Sequence, residues 1–271
     1  MKTVLKLILV DLLVTQIVAP SLVAIPTIIY SVATQENWDM EEFLMQGVAQ
    51  SILIPAQLTG QLLMIAYLWK GKYFDTGKAI WSPVSATYPI LALVAIFTGG
   101  FLASELTDLI PGIPDIMERT FGILQAGWVG ILTIVLIGPV MEELLFRGAI
   151  ARLLLQRFRH PAVGILLSAF LFGLMHLNPA QMLPAFLIGI LLAWVYYRTR
   201  SLTICILMHI FNNAFSVYIN VTFPEVEKIR EFFHTDGAYT AALAVAVLLL
   251  ITSLIAMKKV PRSSRGGHGT L

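Results

Sequence analysis

The chain has 271 residues, 58% of them hydrophobic and only 13% charged, about half the charged share of a soluble globular protein. That balance excludes an ordinary soluble domain, a disordered chain and a nucleic-acid-binding protein, and leaves an all-α polytopic membrane protein whose first partner is membrane lipid. The net charge of +2 says little by itself, but the placement of the 18 Lys and Arg residues along the chain is informative.

A helix needs about 20 predominantly apolar residues to cross the hydrocarbon core. Seven stretches free of Asp, Glu, Lys and Arg meet that need: Leu12 to Gln35, Phe43 to Trp69, Ala79 to Ser104, Thr120 to Met141, His160 to Tyr197, Ser201 to Phe223 and Gly237 to Met257. The first follows Lys2 and Lys6, but it is longer than the apolar core of a signal peptide and has no clear small-x-small cleavage site. The fifth is too long for one helix, and its cluster His176-Leu177-Asn178-Pro179-Ala180-Gln181 reads as a turn, because Pro179 disfavours helix at the residue before it. Splitting it there predicts about eight transmembrane helices.

Basic residues concentrate in cytoplasmic loops. Lys70, Lys72 and Lys78, then Arg147, Arg152, Arg157 and Arg159, then Arg198 and Arg200, and finally Lys258, Lys259, Arg262 and Arg265 follow alternate spans. Arg119, Lys228 and Arg230 fall on the other side, among many acids. Both termini are expected to be cytoplasmic. Residues 1–257 read as one integral-membrane domain and 258–271 as a flexible basic tail. The short loops suggest a prokaryotic plasma membrane. Cys205, the one cysteine, cannot form an internal disulfide, and it reads as a small apolar helix residue.

Ionisable groups inside a span are costly and by default mark a functional site. They are Asp11, Glu142, Glu143, Arg147, His176 and His209, with the amides Asn212 and Asn213 beside them. Three patterns emerge: Glu142-Glu143-x-x-x-Arg147, Phe172-x-x-x-His176 and His209-x-x-x-Asn213. In a helix, Glu143 and Arg147 share a face and can pair, while Glu142 points about 100° away. Counting from the basic edge at ~1.5 Å per residue puts Glu142, His176 and Asn213 roughly 20 to 25 Å deep, and His209 roughly 13 Å deep. A single site within the membrane is expected.

A carboxylate and imidazoles in a low-dielectric cavity suit the activation of water, since burial makes a carboxyl a better base. A histidine can protonate the leaving amine, and an Asn amide with a His N–H can hold the developing oxyanion. The set suffices for peptide hydrolysis without a Ser or Cys nucleophile. No H-E-x-x-H, G-x-S-G or G-x-G-D motif is present. Two further readings stay open here. Glu142, His176 and His209 could hold Zn²⁺ as a His₂Glu set, or the buried charges could form a proton or ion relay in a transporter. A silent immunity scaffold would also keep these residues. No cofactor is required by the principal reading.

The three motifs, in this order and on successive spans, resemble the CPBP family of CAAX-protease and bacteriocin-processing proteins, over about residues 130–218. The resemblance implies an eight-helix intramembrane endopeptidase of the glutamate type, acting on membrane-associated or lipidated peptides and proteins. It implies that Glu142 activates water with the help of His176, that His209 and Asn213 stabilise the oxyanion, and that Glu143 and Arg147 hold the site in shape. Outside these roles, Asp11 reads as an interfacial residue. Phe170, Phe172, Phe186, Phe211 and Phe215 read as lipid-facing or core packing, and Asn178, Pro179 and Gln181 as a turn.

Overall fold

A computed structural model of the chain describes residues 1–34, 49–75, 77, 85–226 and 228–260. Among the described residues there are helices and no strand, as an apolar solvent demands of a spanning chain, because a helix satisfies its own backbone hydrogen bonds. The protein is an all-α polytopic membrane protein. Seven described helices are long and apolar enough to cross a membrane: α1 (Lys2–Thr34), α2 (Ser51–Lys70), α3 (Thr87–Asp108), α5 (Trp128–Arg157), α7 (Pro179–Thr199), α8 (Leu202–Thr222) and α9 (Asp236–Lys259). Between them lie the short α4 (Glu118–Gln125) and α6 (Pro161–Leu174), the latter apolar but of 14 residues. The expected break in the fifth stretch falls where α6 ends and α7 begins, with Pro179 as the first residue of α7. The beginnings of the second and third expected spans, and the tail from residue 261, lie outside the described residues.

One boundary differs substantially. Helix α1 starts at Lys2 rather than Leu12, so Lys2, Lys6 and Asp11 are helical residues of the first span. The lysine stems can run along the helix towards water. Asp11 cannot do so, and at 6% exposed it faces neighbouring helices.

The helices group into two compact units, one of residues 1–74 and 117–145, the other of residues 75–116 and 146–271. Helix α5 belongs to the first through Leu145 and to the second from Phe146. In lipid there is little hydrophobic drive between helices, so close contact of small residues does the work. In the first unit, Gly60 of α2 lies so near α1 that a Cβ there would stand 3.3 Å from Thr15 Cα and 3.3 Å from Ala19 Cβ. Nearer the basic end, Lys6 Nζ donates to Tyr73 Oη at 3.0 Å, and the Tyr67 and Tyr73 hydroxyls meet at 3.1 Å. Ascending residues of α1 thus meet descending residues of α2, and the two run antiparallel. The bonds from Tyr67 and then Lys6 hold the Tyr73 hydroxyl below its usual pKa.

In the second unit, α6 and α7 approach through glycines. A Cβ at Gly189 would stand 3.1 Å from Ala169 Cα and 3.0 Å from the Phe172 ring, and one at Gly173 would stand 2.7 Å from the Met182 carbonyl. Tyr239 of α9 hydrogen-bonds Glu105 of α3. Arg198 of α7 closes the far end of α9, since its Nη2 donates to the carbonyls of Lys258 at 2.8 Å and Val260 at 2.9 Å. These are the carbonyls a helix end leaves without intrahelical donors. Arg198→Met, which keeps the stem and removes the donors, is expected to free the end of α9 and cost about 1–3 kcal/mol. A thermal-shift measurement in detergent checks this, and an unchanged melting temperature would show that water satisfies those carbonyls equally well.

Candidate active site

The two glutamates lie in the first unit. Glu142 and Glu143 lie on a short α-helical piece of α5, Gly138–Glu143, set between two π-helical stretches, Thr133–Ile137 and Leu144–Ala151. Each π turn inserts an extra residue, and such insertions concentrate where a helix must re-aim functional side chains. The expected i to i+4 face running from Glu143 to Arg147 assumed an unbroken α-helix, whereas the backbone from Leu144 onward is wound as π. Glu143 is fully buried and Glu142 half-buried. Asp11 of α1 lies within electrostatic reach of Glu142. The side-chain amide nitrogen of Gln61, on α2, lies 3.1 Å from the Cβ position of Gly138, one turn before Glu142.

The two histidines lie in the second unit, where both pack against one ring. Phe172 of α6 is 2% exposed. The His176 imidazole stands edge-on to it at 4.9 Å, the His209 imidazole at 5.7 Å and Phe146 at 5.0 Å. The Arg147 guanidinium lies 4.4 Å over the same ring and donates through Nη2 to the Gly189 carbonyl at 3.3 Å. Phe172 is therefore a core-packing residue rather than a lipid-facing one. It packs against two imidazoles and carries a buried cation, a contact strengthened by desolvation.

His176 is also oriented. Its Nδ1 lies 2.9 Å from the Phe172 carbonyl oxygen. A carbonyl only accepts, so Nδ1 carries the proton, and in the neutral ring Nε2 presents the lone pair. His209, on α8, is 4% exposed. One turn on, Asn212 Nδ2 donates to Asn213 Oδ1 at 3.4 Å, which leaves the Nδ2 end of Asn213 as its donor end. The two neighbouring amides, equivalent in sequence, differ in place: Asn212 Oδ1 lies 2.7 Å from the Cβ position of Gly100 on α3.

Asn178 has more than a turn's role. It is fully buried, its Nδ2 donates to Asp115 Oδ1 at 2.9 Å, and its Oδ1 accepts from the Ile116 amide at 3.2 Å. It thereby ties the strained turn after His176, where Leu177 has φ of 51°, to the segment following α3. Pro179 and Gln181 already belong to α7. Asn178→Asp sets two carboxyls face to face and is expected to cost about 2–4 kcal/mol, whereas adding Asp115→Asn reverses the bond and restores most of it. Melting temperatures of the two singles and the double check this; a double no better than Asn178→Asp would show the latch is not this pair.

Among the described residues no three His, Cys, Asp or Glu side chains stand together closely enough to hold a metal ion. The signal that could have singled out Phe172 is its place in the Phe172-x-x-x-His176 spacing, which puts the ring one turn beneath the imidazole.

Residues 124–215 match the family model described as type II CAAX prenyl endopeptidase Rce1-like. The matched segment includes all seven residues of the three motifs, and the resemblance read from them holds. A Bacillus subtilis (strain 168) protein named as membrane peptidase YdiL is 27% identical over 147 residues, which cover 53% of this chain and 57% of that protein. CAAX prenyl protease 2 of Caenorhabditis elegans is 25% identical over 187 residues, covering 62% of this chain and 69% of that protein. The chain thus spans a little over half the length of the first of these relatives. No solved structure matches the chain significantly.

Proposed function

We propose, from the type II CAAX prenyl endopeptidase Rce1-like match over residues 124–215, that this integral membrane protein is an intramembrane endopeptidase cutting membrane-associated or lipidated peptides. The observation that carries the reading is the pair of imidazoles, His176 and His209, flanking the buried Phe172 ring inside the matched segment. Glu142 takes a proton from water as the water oxygen bonds to the scissile carbonyl carbon. The negative charge that moves onto the carbonyl oxygen is met by N–H groups of His209 and of Asn213 Nδ2. The proton taken by Glu142 passes to the leaving amine as the C–N bond breaks, with His176 Nε2 assisting the transfers, and the carboxylate is regenerated. Glu143 and Arg147 hold the helices around these groups.

The test needs no prior substrate. Peptide termini from membranes and medium are compared by mass spectrometry between cells expressing the wild type and cells expressing Glu142→Ala at equal levels. Termini present only with the wild type support the reading, and their sequences state whether the cut is CAAX-like or of leader type. Full cleavage by purified Glu142→Ala protein would overturn the assignment of the base. Activity lost to a strong chelator and restored by Zn²⁺ would instead make Glu142, His176 and His209 a ligand set.

A further inference from the structure

Hydrolysis in a membrane consumes a molecule that the surroundings exclude. Two buried side chains of the first unit, outside every motif, bear on its supply. Asp11 is 6% exposed and Gln61 is 4% exposed. Among the described residues nothing donates a hydrogen bond to Asp11 Oδ1 or to Gln61 Oε1.

Packing brings these atoms into one neighbourhood. Gly60 sits against Thr15 and Ala19, so Gln61 lies at the level of α1 one turn beyond Asp11, on a face of α2 turned about 100° from that contact. Gln61 also meets Gly138, one turn before Glu142, while Asp11 lies within electrostatic reach of Glu142. Three helices therefore present Asp11, Gln61 and Glu142 within about two turns of one another along the packed axes. On α1, Val4, Leu7 and Asp11 form the buried stripe, so the carboxyl faces inward. The other charged and titratable groups on these helices are Lys2, Lys6 and Tyr30 on α1, Tyr67 and Lys70 on α2, and Glu143, Arg147, Arg152 and Arg157 on α5; Lys6 and Tyr67 are engaged with Tyr73.

Two acceptors without donors, buried at membrane depth on different helices, match the chemistry of a small molecule that gives two protons in hydrogen bonds. Water does so, and polar sites of this kind hold it tightly. We propose that Asp11 and Gln61 hold ordered water beside Glu142 and supply it for hydrolysis, as positioning residues that exchange no atom with the substrate. The inference rests on the endopeptidase reading.

Asp11→Leu and Gln61→Leu suit a membrane interior and remove the acceptors; Asp11→Asn keeps one acceptor and removes the charge. Each Leu variant is expected to lower kcat about tenfold or more with KM within about twofold, and the double to be no slower than the slower single. Asp11→Asn is expected to stay within about threefold of the wild type. Wild-type kcat in both Leu variants, or an Asn variant as slow as the Leu one, overturns the proposal. A second readout is independent of cleavage. Radiolysis of bound water oxidises side chains next to it, and the buried Met64 lies one helical turn from Gln61 while the buried Met141 directly precedes Glu142. Oxidation of these methionines in the wild type, lost in the Leu variants, supports the water site even if no peptidase activity is found, in which case only the functional reading fails. Absence of oxidation in the wild type overturns the site.

Discussion

Glu142→Gln is expected to lower kcat by about a thousandfold or more while KM stays within about threefold, the loss typical of a removed general base. The substitution keeps the volume and the hydrogen-bonding shape of the side chain and removes only its ability to take a proton. The protein should therefore remain folded, with a melting temperature close to that of the wild type, since Glu142 is only half-buried. The contrast is Glu143→Gln. That residue is fully buried on the same α-helical piece between the two π stretches, so its loss is expected in stability before chemistry. Cleavage of a membrane peptide by both variants, with melting curves alongside, separates the two roles. Wild-type turnover in Glu142→Gln would move the base elsewhere.

Phe172→Ala is expected to combine a large structural cost with a loss of turnover. The ring is 2% exposed, and Phe146, His176, His209 and the Arg147 guanidinium all pack on it. Removing it leaves a cavity and deprives the cation of its aromatic face. In water-soluble cores such a change costs about 3–5 kcal/mol, part of which is transfer from water. In lipid the transfer part is absent and the lost packing remains, so about 2–4 kcal/mol is expected. Both imidazoles also lose the surface they pack against, and a displacement of about 1 Å is enough for a hundredfold loss in kcat. Phe172→Leu refills part of the volume and should recover stability more than activity. Equal recovery of both would show that the ring only fills space.

Several features were legible without the fold. The apolar runs located the spans, and the break before Pro179 emerged from the fixed φ of proline and its effect on the preceding residue. The three motifs stood out because charge in a membrane is costly, and the Rce1-like match covers that same region. The start of α1 was misread because a charge-free window ends at Asp11, whereas the helix accommodates that carboxyl by facing it inward. The π winding was missed because no residue in Leu144–Ala151 is a helix breaker; an inserted residue is favoured by packing around it rather than by its own backbone preference. Asn178 read as a turn former, which it is, while its second use needed Asp115 and Ile116, more than 60 residues away in the chain.

The division has a physical basis. Solvent preference and local backbone preference act residue by residue, so this chain alone determined that it lies in a membrane, where its helices begin to turn back and which polar residues lie at cost inside. Which atoms meet depends on helix rotation and on the close approach that glycines permit at positions 60, 173 and 189. Only tertiary structure decided that His209 packs on the same Phe172 ring as His176, and that Asp11 and Gln61 face the neighbourhood of Glu142.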